Sequence, residues 1–202
     1  MRTILGLVAI GVGFMVVTAG SVAQAQVSIR DFKTIGSGCP KGLTATINTG
    51  DALIIGFNDN FVVSIGQGNN NKALDRKACT ISLLLDTPVG YAYTLTAFHT
   101  LGTAAVAPRS MGRHQTKYWF QGTPMTAYST TLVGSGDWWI DDSFDNPVYS
   151  SCHLADGDQK YLDITTSLSL SAEAGWDPTT TSTITEDFAF GTVYDLGFAP
   201  CP

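Results

Sequence analysis

Hydrophobic and polar positions alternate in short runs along most of the chain. Leu43, Ala45 and Ile47 alternate with Thr44 and Thr46. Residues Ala52 to Phe57 and Phe61 to Ile65 flank Asn58-Asp59-Asn60, which predicts a hairpin with a short turn. Cys79, Ile81, Leu83 and Leu85 share one face of a strand, and Tyr91, Tyr93, Leu95 and Ala97 share a face of another that runs to Thr100. Further strands are expected at Lys117–Gln121, Thr126–Val133, Leu162–Leu170 and Thr192–Phe198. In Leu162–Leu170 the apolar or Thr positions alternate with Asp163, Thr165, Ser167 and Ser169, the pattern of a half-buried strand. No window of about 11 residues past the leader shows a helical period. Many short strands separated by Gly and Asn turns predict an all-β fold, an antiparallel β-sandwich or jelly roll.

The first segment has a different character. Arg2 precedes an uncharged, mostly apolar run from Ile4 to Val17, and Ala23-Gln24-Ala25 supplies a small-x-small cleavage pattern. Residues 1–25 therefore read as a secretory signal peptide, leaving 26–202 as one secreted domain. A membrane anchor is the competing reading, but it needs about 20 consecutive apolar residues and this run breaks at Thr18–Ser21. No later stretch is long and apolar enough to span a bilayer.

Composition sharpens this picture. The chain is 44% hydrophobic and 14% charged, with a formal net charge of −6. That hydrophobic content excludes general disorder, and the acidic balance offers no basic patch for nucleic acid. The carboxylates are almost all Asp, the only Glu residues being Glu173 and Glu186, which favours turns over helices. Four cysteines, Cys39, Cys79, Cys152 and Cys201, lie beyond the leader. In an exported chain an even count predicts two disulfides, with three possible connectivities. The preferred pairing is Cys39–Cys201 with Cys79–Cys152, the first closing the domain end to end. The cysteines are too far apart in sequence for a zinc site.

Several motifs recur in a recognisable order. Gly36-Ser37-Gly38-Cys39-Pro40-Lys41-Gly42 is followed by the Phe57–Gly66 segment, then Arg76-Lys77-Ala78-Cys79 and Leu83–Gly90 leading into Tyr91–Gly102. Tyr118-Trp119-Phe120-Gln121-Gly122, Val148-Tyr149-Ser150-Ser151-Cys152 and Leu162–Leu170 come next. This series resembles the secreted-protein family known as domain of unknown function 4360, found in bacteria and fungi. The resemblance runs from about Gly36 to Cys201. The chain departs from the family pattern with Ser151 in place of Pro, His153 in place of Gly, and no Trp just before Cys201. The resemblance implies export and a cysteine-stabilised β domain, and it supplies no catalytic or ligand residues.

The segment richest in chemistry is Asp137 to Pro147, where Trp138 and Trp139 stand among Asp141, Asp142 and Asp145. The two indoles are candidates for stacking on sugar rings. Asp141, Asp142 and Asp145, with Asn146, are candidate oxygen ligands for Ca²⁺. Against this stands the plainer reading, Trp in packing and Asp on a solvated loop; the EF-hand pattern is absent. Asp156-Gly157-Asp158 reads most simply as a turn, with calcium ligation as its alternative. Paired Asp carboxylates would also serve a glycosidase, given a separation of about 5–9.5 Å.

The three histidines show no catalytic spacing. His99 falls in an expected strand, His114 in a basic loop with Arg109, Arg113 and Lys117, and His153 beside a cysteine. Gly134-Ser135-Gly136 and Gly36-Ser37-Gly38 do not match Gly-x-Ser-x-Gly and read as turns. The sequence thus points to a non-enzymatic binding or structural module, outside the cell or in the periplasm. Its expected partner is a glycan or cell-wall component, or another copy of itself, and not nucleic acid. A secreted polysaccharide hydrolase using paired Asp residues is the alternative, with a membrane-active β protein ranked last.

Overall fold

The computed structural model describes residues 27–39, 43–48, 51–56, 61–155, 159–186 and 191–202. The leader, the turn Asn58–Asn60 and Asp156-Gly157-Asp158 lie outside these residues. Every named element is a strand, and all pairings are antiparallel. In chain order the strands are β1 (Ser28–Ile35), β2 (Thr44–Asn48), β3 (Ala52–Gly56), β4 (Phe61–Gly66), β5 (Leu74–Asp86) and β6 (Tyr91–Val106). They continue with β7 (Ser110–Phe120), β8 (Thr126–Leu132), β9 (Gly134–Ser143), β10 (Leu162–Ala172), β11 (Thr181–Glu186) and β12 (Thr192–Pro200).

Two sheets form the sandwich. Sheet A has the order β1-β5-β10-β7-β8, and sheet B the order β2-β3-β12-β6-β11-β4, with β9 added along β6. The expected hairpin of Ala52–Phe57 with Phe61–Ile65 does not form: β3 pairs β2 and β12, while β4 pairs β11. Both runs are strands, yet three strands separate them in the sheet. Long-range partners that bury an apolar face outweighed closeness in sequence.

The core divides into two apolar clusters along the strands. One holds Leu53, Ile55, Ile81, Leu83, Leu85, Phe98, Tyr118 and Ile164; the other holds Phe61, Val63, Ile65, Leu168, Leu170 and Ile184. A polar layer lies between them, because consecutive inward positions on β10 are Ile164, Thr166 and Leu168, and on β6 Phe98 and Thr100. The buried side chains Thr100, His114, Thr116, Thr166, Glu186 and Thr192 occupy this layer.

Both disulfides join cysteines that are consecutive in sequence. Cys39 bonds Cys79 and Cys152 bonds Cys201, not the expected Cys39–Cys201 and Cys79–Cys152. The cause is strand register. β1 pairs β5 with Ile35 opposite Thr80, so the chain leaving β1 passes Cys79. Pro200 lies opposite Tyr91, and the His153 amide donates to the Tyr91 carbonyl, so Cys152 and Cys201 meet at the start of β6. Neither bridge crosses from one sheet to the other; the sheets are held face to face by packing and by hydrogen bonds such as Tyr118 to the Leu95 carbonyl.

Candidate functional site

The acidic Trp segment is a strand, not a loop. In β9 the alternation of side chains sends Trp138, Ile140 and Asp142 inward and Asp137, Trp139 and Asp141 outward. β9 pairs β6 with Trp138 opposite Gly102, Trp139 opposite Leu101 and Asp141 opposite His99. The Trp138 ring covers Gly102 so closely that a Cβ there would stand 2.4 Å from Cζ2 and 2.0 Å from the Thr185 carbonyl oxygen. Trp138 packs against both apolar clusters, and its indole nitrogen has no hydrogen-bond partner.

The expected ligand set is therefore divided. Asp142 turns inward, where it accepts from its own neighbour's amide, Ser143 N–H, and meets Tyr128. Burial is the main cause that raises the Tyr128 hydroxyl above its usual range, and Asp142 adds to it. Asp145 is exposed beyond the end of β9. Among the described residues no group of three or more His, Cys, Asp or Glu is arranged to hold a metal ion.

On the outer face of sheet B, Trp139 is 65% exposed. Two steps along, His99 is clamped between carboxylates from the strands on either side. Its Nδ1 lies 2.9 Å from Asp141 Oδ1 and its Nε2 lies 3.3 Å from Asp195 Oδ2. Both ring nitrogens thus face carboxylates, which fixes the ring and leaves neither nitrogen to serve a nucleophile. Beside Trp139 a hollow of about 320 Å³ is lined by Leu101, Gly102, Thr103, Asp137 and the two indoles. An exposed indole face next to oriented carboxylates is suited to a ligand with C–H faces and hydroxyl donors. His99 and Asp195 join this site only through the β9–β6–β12 order, a relationship that alternation within single strands does not reveal.

His114 is not in a basic loop. It lies on β7 with its side chain in the polar layer of the core, its Nε2 3.4 Å from Thr166 Oγ1 and 3.7 Å from Glu186 Oε2. Burial pulls the imidazole below its ordinary range, and the Glu186 carboxyl partly opposes that. Glu186 also receives the hydroxyls of Thr192 at 2.8 Å, Thr100 at 3.0 Å and Thr166 at 3.4 Å. Burial, aided by Glu186, pushes the Tyr194 hydroxyl far above its usual range. All members of this network are buried between the sheets. His153 is buried beside the second disulfide, where Nδ1 bonds the Thr87 carbonyl and Nε2 meets Gln159.

These features define a disulfide-stapled antiparallel β-sandwich carrying an aromatic and acidic surface on one sheet. The chain belongs to the family Domain of unknown function (DUF4360), which matches residues 25–201. It is similar to an uncharacterized secreted protein of Arthroderma benhamiae, 32% identical over 104 residues, a match covering 50% of this chain and 42% of that protein. The matched region thus spans less than half the length of that relative. Among solved structures, it matches TmCBM61 in complex with beta-1,4-galactotriose with a TM-score of 0.25 and 11% identity, over 88% of this chain and 89% of the other. Among the described residues no helix is long and apolar enough to cross a membrane.

Proposed function

We propose that this chain is an exported glycan-binding module whose binding surface is the outer face of sheet B around Trp139. The leader is removed after Ala25, and residues 26–202 act as one domain outside the cytoplasm. The observation that carries the reading is the exposed indole of Trp139 set beside His99, Asp141 and Asp195. A large aromatic side chain left in water on a rigid sheet gains nothing for the fold, whereas a sugar's C–H face would cover it. Asp141 and Asp195 accept from hydroxyls at its margin, and His99 holds both carboxylates in place. In this reading His99, rather than a metal ion, bridges the two carboxylates.

The test is binding of the oxidised protein, residues 26–202, to a panel of neutral glycans and cell-wall polysaccharides with and without chelator. Saturable binding that survives chelation and is lost in Trp139→Ala is the expected result. Binding abolished by chelator would replace this reading with calcium-dependent recognition. Binding unchanged in Trp139→Ala, or none across the panel, would overturn it.

A further inference from the structure

The outer face of sheet A carries a groove that the reading above does not use. Its floor is β10, the central strand, whose outward positions Ser167, Ser169 and Ser171 are small while Leu168 and Leu170 point into the core. Its walls come from the flanking strands, where Ser169 lies opposite both Arg76 on β5 and Arg113 on β7. Small side chains on the middle strand between long ones on either side leave a channel of about 430 Å³. The strands bearing the two arginines run about 10 Å apart.

Several polar groups of this channel have no partner among the described residues. Ser167 is only 6% exposed and lines the channel, yet no described residue hydrogen-bonds to its hydroxyl. Its hydroxyl therefore faces the channel, open to a ligand or solvent. Arg76 meets no carboxylate among the described residues, and Gln115 leaves its amide toward the channel. Arg113 donates through Nε to Ser129, and its terminal nitrogens bond no described residue. Three cations elsewhere are engaged: Arg30 pairs with Asp86 at 3.1 Å, Lys33 pairs with Asp31 at 2.9 Å, and Arg109 donates to the Ala174 carbonyl. In a chain of net charge −6, two guanidiniums without a carboxylate partner among the described residues thus flank one groove from opposite sides.

We infer that the Ser169 groove of sheet A is a second binding site, for a carboxylate-bearing polysaccharide. Each guanidinium presents a planar fork that matches a carboxylate in two parallel hydrogen bonds. The serine hydroxyls and the Gln115 amide pair with sugar hydroxyls along the floor. At one end Leu74 and Met111, 63% and 42% exposed, offer apolar surface to ring C–H groups. A nucleic acid would require base-stacking aromatics and a denser run of cations than this channel has.

The experiment is calorimetric titration of the oxidised protein, residues 26–202, with oligomers of polygalacturonate, alginate and hyaluronan. Fully methyl-esterified galacturonan, dextran sulfate and duplex DNA serve as comparisons. Saturable binding to at least one uronate oligomer is expected, with none to the esterified polymer. Arg76→Gln and Arg113→Gln should each weaken it about tenfold, as loss of a charge-assisted contact does. Arg30→Gln, which removes the same charge away from the groove, should change it by less than about twofold. Ser169→Leu, which fills the channel without altering charge, should abolish binding while the thermal midpoint holds. Equal binding to dextran sulfate or DNA, equal effects of Arg30→Gln and Arg76→Gln, or no uronate bound would overturn the inference. The groove lies on the sheet opposite Trp139, so either site can fail without the other.

Discussion

Trp138 and Trp139 are adjacent in sequence and face opposite sides of β9. The first is pressed onto Gly102 between the two core clusters, and the second stands in solvent on the outer face of sheet B. Substitutions at the two positions should separate stability from binding. Trp138→Ala removes packing shared by both clusters and is expected to cost about 3 kcal/mol. Trp139→Ala is expected to change stability by about 0.5 kcal/mol or less. Denaturant midpoints measured in parallel check the contrast; equal losses would place Trp139 in the packing instead.

Gly102 is set by the same contact. An alanine methyl would collide with the Trp138 ring and with the Thr185 carbonyl that β11 contributes to its pairing with β6. Gly102→Ala is expected to destabilise by about 1–3 kcal/mol through overpacking. The double variant Gly102→Ala with Trp138→Ala should lose less than the sum, because the smaller residue removes one of the two collisions.

Acid should act on the fold in two separate windows. His114 has its folded value held below 6.5 by burial, against the pull of Glu186, so the unfolded chain takes up a proton that the native core resists. Its contribution is therefore intact above 6.5 and declines as pH falls below it, by at most about 1.4 kcal/mol per pH unit. Asp31 is held at about 2, first by the Tyr161 hydroxyl and then by Lys33. That contribution is present above the ordinary value of 3.8 and is lost only as pH falls toward 2. Thermal midpoints from pH 8 to 2 should fall in both windows; His114→Gln should flatten the upper one and Asp31→Asn the lower.

The disulfides give a direct covalent check. A non-reduced digest should yield Cys39 linked to Cys79 and Cys152 linked to Cys201, read by mass spectrometry. Removing either bridge by a paired Cys→Ala change is expected to cost about 2–4 kcal/mol. A Cys39–Cys201 peptide would contradict the strand register that brings each pair together.

What the sequence revealed followed from side-chain size. Leu162–Leu170 and Thr126–Val133 became strands almost as bounded, because a regular apolar or Thr alternation marks one face. The first half of β7 escaped that pattern, since its inward positions are Ser110, Gly112, His114 and Thr116 rather than large hydrophobic residues. β11 was hidden likewise, with Ser182 and Glu186 among its buried positions. In β9 the Trp pair places an indole on each face, which erases the period. The candidate site was legible in part: Trp139 and Asp141 come from one segment, whereas His99 and Asp195 arrive by pairing across strands. The serine floor of sheet A gave no signal, because Ser167 and Ser169 look like any polar strand positions until Arg76 and Arg113 are known to flank them.

Pairing each cysteine with the next one along the chain bears on biogenesis. A polypeptide threaded into an oxidising compartment from its N-terminus meets Cys39 and Cys79 before either of the remaining thiols has emerged. The only bond it can form at that stage is the native one. The second loop closes only when Cys201 follows Cys152. The order of emergence thus favours the native pairs, whereas a nested arrangement would have left the first thiol waiting for the last.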